Sequence, residues 1–400
     1  MKVLYLNTLY APEYGGGAEV TLKLLAESMQ NSGHEVVVLT LSENDELIEE
    51  VIDGVRVIRA KLQNRFWHQY EEKPSVYDRA LWHLQDIDNK RMARVLGEVL
   101  DKEKPDVVSC HNLIGWSSSS WEMIHNKGVP IVQVLHDLYN LCPNSTMFKN
   151  DSSCKKRCFK CKAFRYANPK KSEVVSAVVG VSEYILDTHL KYGVFGKAPI
   201  KINIKNIRNI DSGIIEPKES GVSITFGFIG ALIKSKGIEL LIEEFNKLKD
   251  ENVDLVIAGK GEDEYVKYLH SISGGRIKFL GQVPPADFYN SVDLVVVPSL
   301  WNDTLPGVVF ESFIFGKPVI GSDRGGIPEM ITDGVNGFVF DPESDGQLLS
   351  LMNNIISNRK CLNELSNQAN HSAAPFLDVE GWVKSYEDLY IKVINNSLKA

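Results

Sequence analysis

The chain runs twice through one alternation: a short, almost wholly apolar stretch, a turn, then an amphipathic stretch of helical period. The opening shows it as "KVLYLNT", the turn "LYAPEYGGG", the helical "AEVTLKLLAESMQNSG" stopped by Gly33, and "HEVVVLT". Further strand candidates are "PDVVSCHN", "VPIVQVLHD" and "EVVSAVVGVS". After "KNIRNIDSG" the cycle restarts, with "SITFGFIGAL", "VDLVIAGKG", "RIKFLGQV", "DLVVVPS" and "KPVIGSD" separated by helical segments. Strands of this kind alternating with helices call for a parallel sheet covered on both faces. At 400 residues the chain is longer than one core usually organises. The expectation is two doubly wound α/β domains, 1–207 and 208–375, with a hinge in 205–221. Residues 376–400 read as a terminal amphipathic helix that packs back on the first domain, with Trp382, Leu389 and Ile391 available for packing.

A net charge of −8 argues against nucleic acid as a partner, because duplex binding shows a basic footprint over the whole domain. No apolar run approaches the roughly 18 residues of a spanning helix. "MKVLYLNTLY" lacks a basic leader, a long apolar stretch and a small-residue cleavage site, so it reads as a first strand. The expected location is the cytoplasm, free or peripheral at the inner face of the plasma membrane.

In open α/β sheets ligands sit beyond the carboxyl ends of the strands, so the loops there are the place to look for chemistry. Gly15, Gly16 and Gly17 precede a helix, which makes either a plain flexible turn or a loop facing an anion. In "GALIKSKGIELL", Gly230 ends a strand, Lys234 and Lys236 follow, and Gly237 opens a helix. Amines beside a helix N-terminus can hold a diphosphate without a metal, though lysines in a surface loop are also often just solvated. "AGKGE", with Gly261, reads first as structural punctuation.

The stretch "PSLWNDTLPGVVFESFIFGKPVIGSDRGGIPE", Pro298 to Glu329, is richer. Asp303 falls in the loop after a strand, and Glu311 falls about two turns into a helix with Pro306 near its first turn. Ionised carboxylates are pure acceptors, so two of them suit the hydroxyls of one polar ligand. Helix capping would explain Asp303 alone. Glu311 stands among Phe310 and Phe313, and a buried carboxylate needs a partner.

Taken in order, these motifs resemble the signature of the retaining, nucleotide-sugar-dependent glycosyltransferases of family 4. That family pairs two glutamates separated by seven intervening residues with a "GxPVI" strand, a "GGxPE" turn and an "NG" turn. Here the order is Asp303, Glu311, "GKPVIGSDRGGIPE" and "DGVNGFVF", and the likeness covers nearly the whole chain. It implies a GT-B fold, two Rossmann-like domains facing across a cleft, and transfer of a sugar from a nucleotide diphosphate with no metal required. It also implies that Glu311 binds the ribose hydroxyls, Asp303 the donor sugar near its anomeric centre, and Lys236 the diphosphate, helped by Lys234. His136 would contact the transferred sugar. Gly16 and Gly17 would face the phosphates or the acceptor, and Gly230, Gly261, Val283, Pro306, Gly307 and Val308 would line the donor. Two positions depart from the pattern: Asp303 replaces a glutamate, and Ala231 stands where many relatives carry arginine.

Cys142, Cys154, Cys158 and Cys161 are spaced C-x11-C-x3-C-x2-C. Four thiolates could form a tetrahedral structural zinc site; reduced thiols and disulfides are the other readings. Residues 154–171 carry eight lysines and arginines with Phe159, Phe164 and Tyr166 between them and no acidic residue. Such a segment suits an anionic membrane surface or a polyprenyl-linked pyrophosphate acceptor, or else is a solvated loop. The aromatic stretch 64–83 is either an acceptor surface or ordinary core. The leading expectation is a retaining glycosyltransferase acting on a glycan or lipid-linked glycan in bacterial surface polysaccharide synthesis. The alternatives are a nucleotide-sugar epimerase or phosphorylase of the same architecture and a non-catalytic sugar-nucleotide binding protein.

Overall fold

The computed structural model describes residues 1–44, 47–67, 74–210 and 223–399. These fall into two units. The first comprises 1–147, 155–206 and 379–400, and the second 148–154 and 207–378. Residues 148–154 fall with the second unit, and the last helix falls with the first, the domain on which it was expected to pack. Most of the expected hinge, 211–221, lies outside the described residues, as does 68–73 of the aromatic stretch.

The first unit is built on an eight-stranded sheet. Its order is Ile200–Asn203, Ala177–Gly180, Ile131–Leu135, Val107–Cys110, Lys2–Leu6, Glu35–Ser42, Val55–Lys61 and Ile48–Ile52. All pairings are parallel except the last, where Ile48–Ile52 and Val55–Lys61 form a hairpin. The central strands are buried almost throughout, as apolar runs covered on both faces must be. The helix Gly17–Asn31 ends as expected, with Gly33 at φ 86.

The closing helix, Val379–Ser397, buries Trp382, Tyr386, Leu389 and Tyr390 in this unit, and Glu387 pairs with His34 at 2.7 Å. Ile391, expected to pack, is instead 46% exposed, because the helical period turns it to the outer face.

The second unit holds a six-stranded, wholly parallel sheet. Its order is Ile277–Gly281, Val253–Ala258, Ile224–Ile229, Leu294–Val297, Val319–Ser322 and Gly337–Phe340. Counted from its own first strand this is 3-2-1-4-5-6, the Rossmann order, whose reversal point lies between Ile224–Ile229 and Leu294–Val297. Phe226, Leu255, Ile257, Leu294, Val296 and Ile320 form the middle of its core. The loops after those two strands therefore open at the switch point, where such sheets bind ligands.

Candidate active site

Lys236 reaches its position because of a glycine. Gly237 has φ 72, and a Cβ there would lie 1.8 Å from the Pro298 carbonyl oxygen. Only glycine lets this turn press against the strand end at Pro298. The Leu300 and Trp301 N–H groups donate to the Ser235 carbonyl at 2.9 and 3.3 Å, tying the two loops together. As a result Lys236 Nζ lies 2.5 Å from Asp303 Oδ2 and 5.1 Å from the Trp301 ring centroid. The ammonium is thus held by a carboxylate and an aromatic face.

The Gly-Gly pair fixes Asp303. Gly325 has φ 63, and a Cβ there would fall 1.9 Å from the Asp303 carbonyl oxygen, while Gly326 N–H donates to that oxygen at 2.7 Å. The turn clamps the main chain of Asp303, whose residue is only 6% exposed.

Glu311 sits on the helix Gly307–Ile314, with Pro306 as the capping residue. It is the fifth residue, just over one turn in rather than two, since the helix starts only after Pro306. Its partner is Arg208, whose Nε donates to Glu311 Oε1 at 2.8 Å; the Tyr289 hydroxyl donates to Oε2 at 3.3 Å. Arg208 also lies over the Phe310 ring at 5.3 Å, and its main-chain N–H donates to Phe376. A Cβ on Gly307 would stand 2.7 Å from Arg208 Nη2, so this glycine makes room for the ion pair. Val308 packs half-buried beside it, and Val283 is half-buried in the loop after Ile277–Gly281.

Other expected donor residues have structural duties. Gly230 follows its strand with φ 154, and a Cβ on Gly259 would meet its carbonyl oxygen at 1.8 Å. Gly261 bridges to Leu232, where a Cβ would come within 2.4 Å of the Leu232 oxygen. Lys234 is exposed and pairs with Asp151 at 3.8 Å. Gly16 is extended, at φ 178, with open space around it, and its N–H donates to Glu19 Oε2 at 2.9 Å. The positive end of the helix that begins at Gly17 is therefore met by the chain's own carboxylate.

In the first unit, His136 follows the strand Ile131–Leu135 and is half-buried. His111, which follows Val107–Cys110, places Nδ1 2.8 Å from His136 Nε2. The rings are 18° from coplanar with centroids 5.1 Å apart, an edge-to-edge hydrogen bond and not a face-to-face stack. Burial pushes the His136 pKa down to about 4 and that of His111 well below its ordinary value, so both are neutral at pH 7. Asp137, beside them, has its pKa raised by burial to about 6. Asn112, His136, Asp137, Tyr139 and Asn140 line a small recess with His111.

Three of the four clustered cysteines come together in the first unit. Cys158 and Cys161 have sulfurs 3.6 Å apart, and a hydrogen bond from Cys161 is the largest cause lowering the Cys142 pKa to about 6. Cys154 belongs to the second unit. Among the described residues no disulfide forms, and no group of three or more His, Cys, Asp or Glu is arranged to hold a metal ion. The basic segment divides in two. Arg165 is buried, paired with Asp86 at 3.3 Å and set over the Tyr139 ring, and Lys171 pairs with Asp88 and Glu122. Lys155, Lys156, Lys160, Lys162 and Lys170 are exposed, with Phe159 at 85% and Tyr166 at 70%.

Sequence reasoning missed Arg208, Tyr289, Trp301 and His111. Arg208 lies 103 residues from Glu311, so no local pattern joins them. The demand of a half-buried Glu311 for a cation was the available signal.

Residues 15–202 match the family model Glycosyltransferase Family 4, and residues 215–372 match Glycosyl transferases group 1. An uncharacterized 42.6 kDa protein in the cps region of Klebsiella pneumoniae is 30% identical over 332 residues, 82% of this chain and 87% of that one. A phosphatidyl-myo-inositol mannosyltransferase of Mycobacterium leprae is 24% identical, over 85% of this chain and 83% of that protein. Among solved structures, Anabaena Alr3699/HepE in complex with UDP-glucose superposes with a TM-score of 0.71 at 19% identity, covering 98% of this chain and all of that one. The two family models divide the chain much as its two sheets do, and the chain belongs to the family 4 glycosyltransferases, with the GT-B fold.

Proposed function

We propose that this glycosyltransferase moves a sugar from a nucleotide-diphosphate donor, with retention at the anomeric carbon, to a glycan or lipid-linked glycan of a bacterial surface polysaccharide. The observation that carries the donor reading is the Lys236–Asp303 pair at the switch point of the second sheet, with the Arg208–Glu311 pair on the helix that follows Asp303. Lys236 neutralises the charge that develops on the departing diphosphate, a task a fixed cation performs best where water is scarce. Asp303 and Glu311 accept hydroxyls of the sugar and the ribose. His136, in the first unit, keeps the role the resemblance gives it, a contact to the transferred sugar. The HepE complex with UDP-glucose supports a uridine donor as the first to try.

The exposed lysines of 155–170, with Phe159 and Tyr166, are proposed to meet an anionic membrane surface, each lysine adding about 1 kcal/mol at low salt. Co-sedimentation with anionic vesicles that fades as salt rises is the expected result; salt-independent binding would count against it. Structural zinc on the cysteine cluster stays a proposal that rests on the sequence spacing of Cys142, Cys154, Cys158 and Cys161 and on one close sulfur pair, since no such group is arranged for a metal among the described residues. The Cys158–Cys161 spacing of 3.6 Å is close to the edge of a thiolate tetrahedron with Zn–S bonds of about 2.3 Å. Elemental analysis finding one zinc per chain, lost in Cys158→Ser, supports it, and zinc-free purified protein sinks it.

Transfer is tested by incubating a panel of nucleotide sugars with a lipid-linked acceptor and reading the anomeric configuration of the product by NMR. A retained configuration, abolished by Lys236→Ala, is the expected result. Inversion would overturn the mechanism. Interconversion of the donor with no acceptor would point to an epimerase.

A further inference from the structure

Trp301 carries a cost that the donor residues do not account for. The residue is half-buried, and its indole N–H is buried with no acceptor among the described residues. An unpaired buried donor lowers stability. Phenylalanine at this position would bring an aromatic face without that cost, so the gain from the larger ring lies elsewhere than in its N–H. On the face of the ring stands the Lys236 ammonium, 5.1 Å from the ring centroid. Of the aromatic side chains, tryptophan presents the most strongly negative face to a cation.

The main chain of Trp301 fixes this contact. Its N–H donates at 3.3 Å to the carbonyl of Ser235, the residue before Lys236, and its own carbonyl accepts from the Asp303 N–H at 2.9 Å, closing a tight turn. One residue therefore ties the loop that carries the ammonium to the loop that carries its counter-ion. Lys236 Nζ lies 2.5 Å from Asp303 Oδ2, with the lysine side chain 24% exposed and that of Asp303 9%. Lysine ends a flexible stem, and an unrestrained one gives up rotamer freedom when it binds an anion. Here a carboxylate and an aromatic face have already taken that freedom, while part of the side chain stays open to a ligand.

We propose that Trp301 is a positioning residue for Lys236, whose ring holds the ammonium in place before the donor arrives, so that a nucleoside diphosphate meets a cation already set. The benefit is preorganisation, the entropy of ordering the lysine being spent in folding and not in binding. The ring acts through the lysine and not by stacking on the base or the sugar. This rests on the proposed function for the identity of the anion, and adds a residue which that reading does not use.

The test is a double-mutant cycle on the full-length protein, read by calorimetric titration with UDP and GDP. For whichever diphosphate binds the native chain, Trp301→Leu should weaken binding about threefold to tenfold, the scale of a partly desolvated cation–π contact. The same substitution made in Lys236→Ala should change affinity by less than about twofold, since the cation it acts through is gone. Trp301→Phe, which keeps a weaker aromatic face, should fall between the native protein and Trp301→Leu. Melting temperatures establish that each variant is folded, and where Trp301→Leu is not, Trp301→Phe carries the cycle with a smaller loss. Equal weakening in the native and Lys236→Ala backgrounds would mean that the ring touches the ligand itself or only supports the loop, and overturns the proposal. Native affinity in folded Trp301→Leu overturns it too. Either of those results leaves the proposed donor site standing, whereas a native chain that binds neither UDP nor GDP removes the donor reading and this inference with it.

Discussion

At Glu311 the structure answers a question the sequence poses. A carboxylate between phenylalanines needs a cation, and Arg208 supplies it, with Tyr289 on the second oxygen. Arg208→Ala should therefore lower stability by roughly 1.5–3 kcal/mol, the scale of a hydrogen bond to a charged group, and weaken nucleotide binding; urea denaturation and calorimetry would read the two effects separately. His136 makes a pH prediction. Its folded pKa, about 4, lies below its unfolded value near 6.5, so the unfolded chain binds more protons between those values. Its contribution to stability is present above pH 6.5 and lost as pH falls toward 4. Asp86 and Asp137, raised to about 6 by burial, act in the opposite sense, so the informative quantity is a difference. The stability gap between native protein and His136→Asn should shrink by up to roughly 2 kcal/mol from pH 7 to pH 5 in denaturant titrations, and an unchanged gap would show that His136 is not held neutral. Asp303, Glu311, Lys236 and His136 were legible because they stand in ordered motifs. Arg208 and His111 were not, since only the fold brings them near those residues, and Trp301, though two residues from Asp303, meets Lys236 only through the turn at Gly237.

Elements show the same split. The strands that are apolar on both faces were readable from composition alone, and their positions hold to within a few residues. The hairpin Ile48–Ile52 to Val55–Lys61 was missed although its turn, Asp53-Gly54 with φ 48 and 84, is the Asp-Gly pair that favours a two-residue turn. The outer strand is mostly exposed, "IEEVI", so it lacks the apolar signal of the others. The glycines of the second unit act through close approach: Gly325→Ala would force a Cβ against the Asp303 carbonyl and should abolish transfer while lowering the melting temperature. A fully active, equally stable Gly325→Ala protein would contradict the clamp. The closing helix buries Trp382, Tyr386, Leu389 and Tyr390, each worth about 1.5–3 kcal/mol of burial. Deleting 379–400 should therefore unfold the first unit, seen as loss of hydrogen-exchange protection in Lys2–Leu6 and Val107–Cys110, with the second sheet retained.

At the scale of the whole chain, the doubled α/β alternation predicted two sheets, and the second has the 3-2-1-4-5-6 order whose reversal point carries Lys236 and Asp303. The terminal helix was expected to return to the first unit, as it does; what the alternation did not reveal is that 148–154 belong to the second. The placement of 148–154 depends on long-range packing, which no local period encodes. The proposal that the second unit holds the donor is supported by the Rossmann-like order and by the two ion pairs. The measurement that tests this most directly is calorimetric titration of the native protein and Lys236→Ala with UDP, GDP and their sugars. One nucleotide sugar should bind the native chain at one per molecule and bind Lys236→Ala at least about tenfold more weakly, a difference of about 1.4 kcal/mol. Equal affinity in both proteins, or no binding by the native one, would contradict the assignment of Lys236 as the diphosphate clamp.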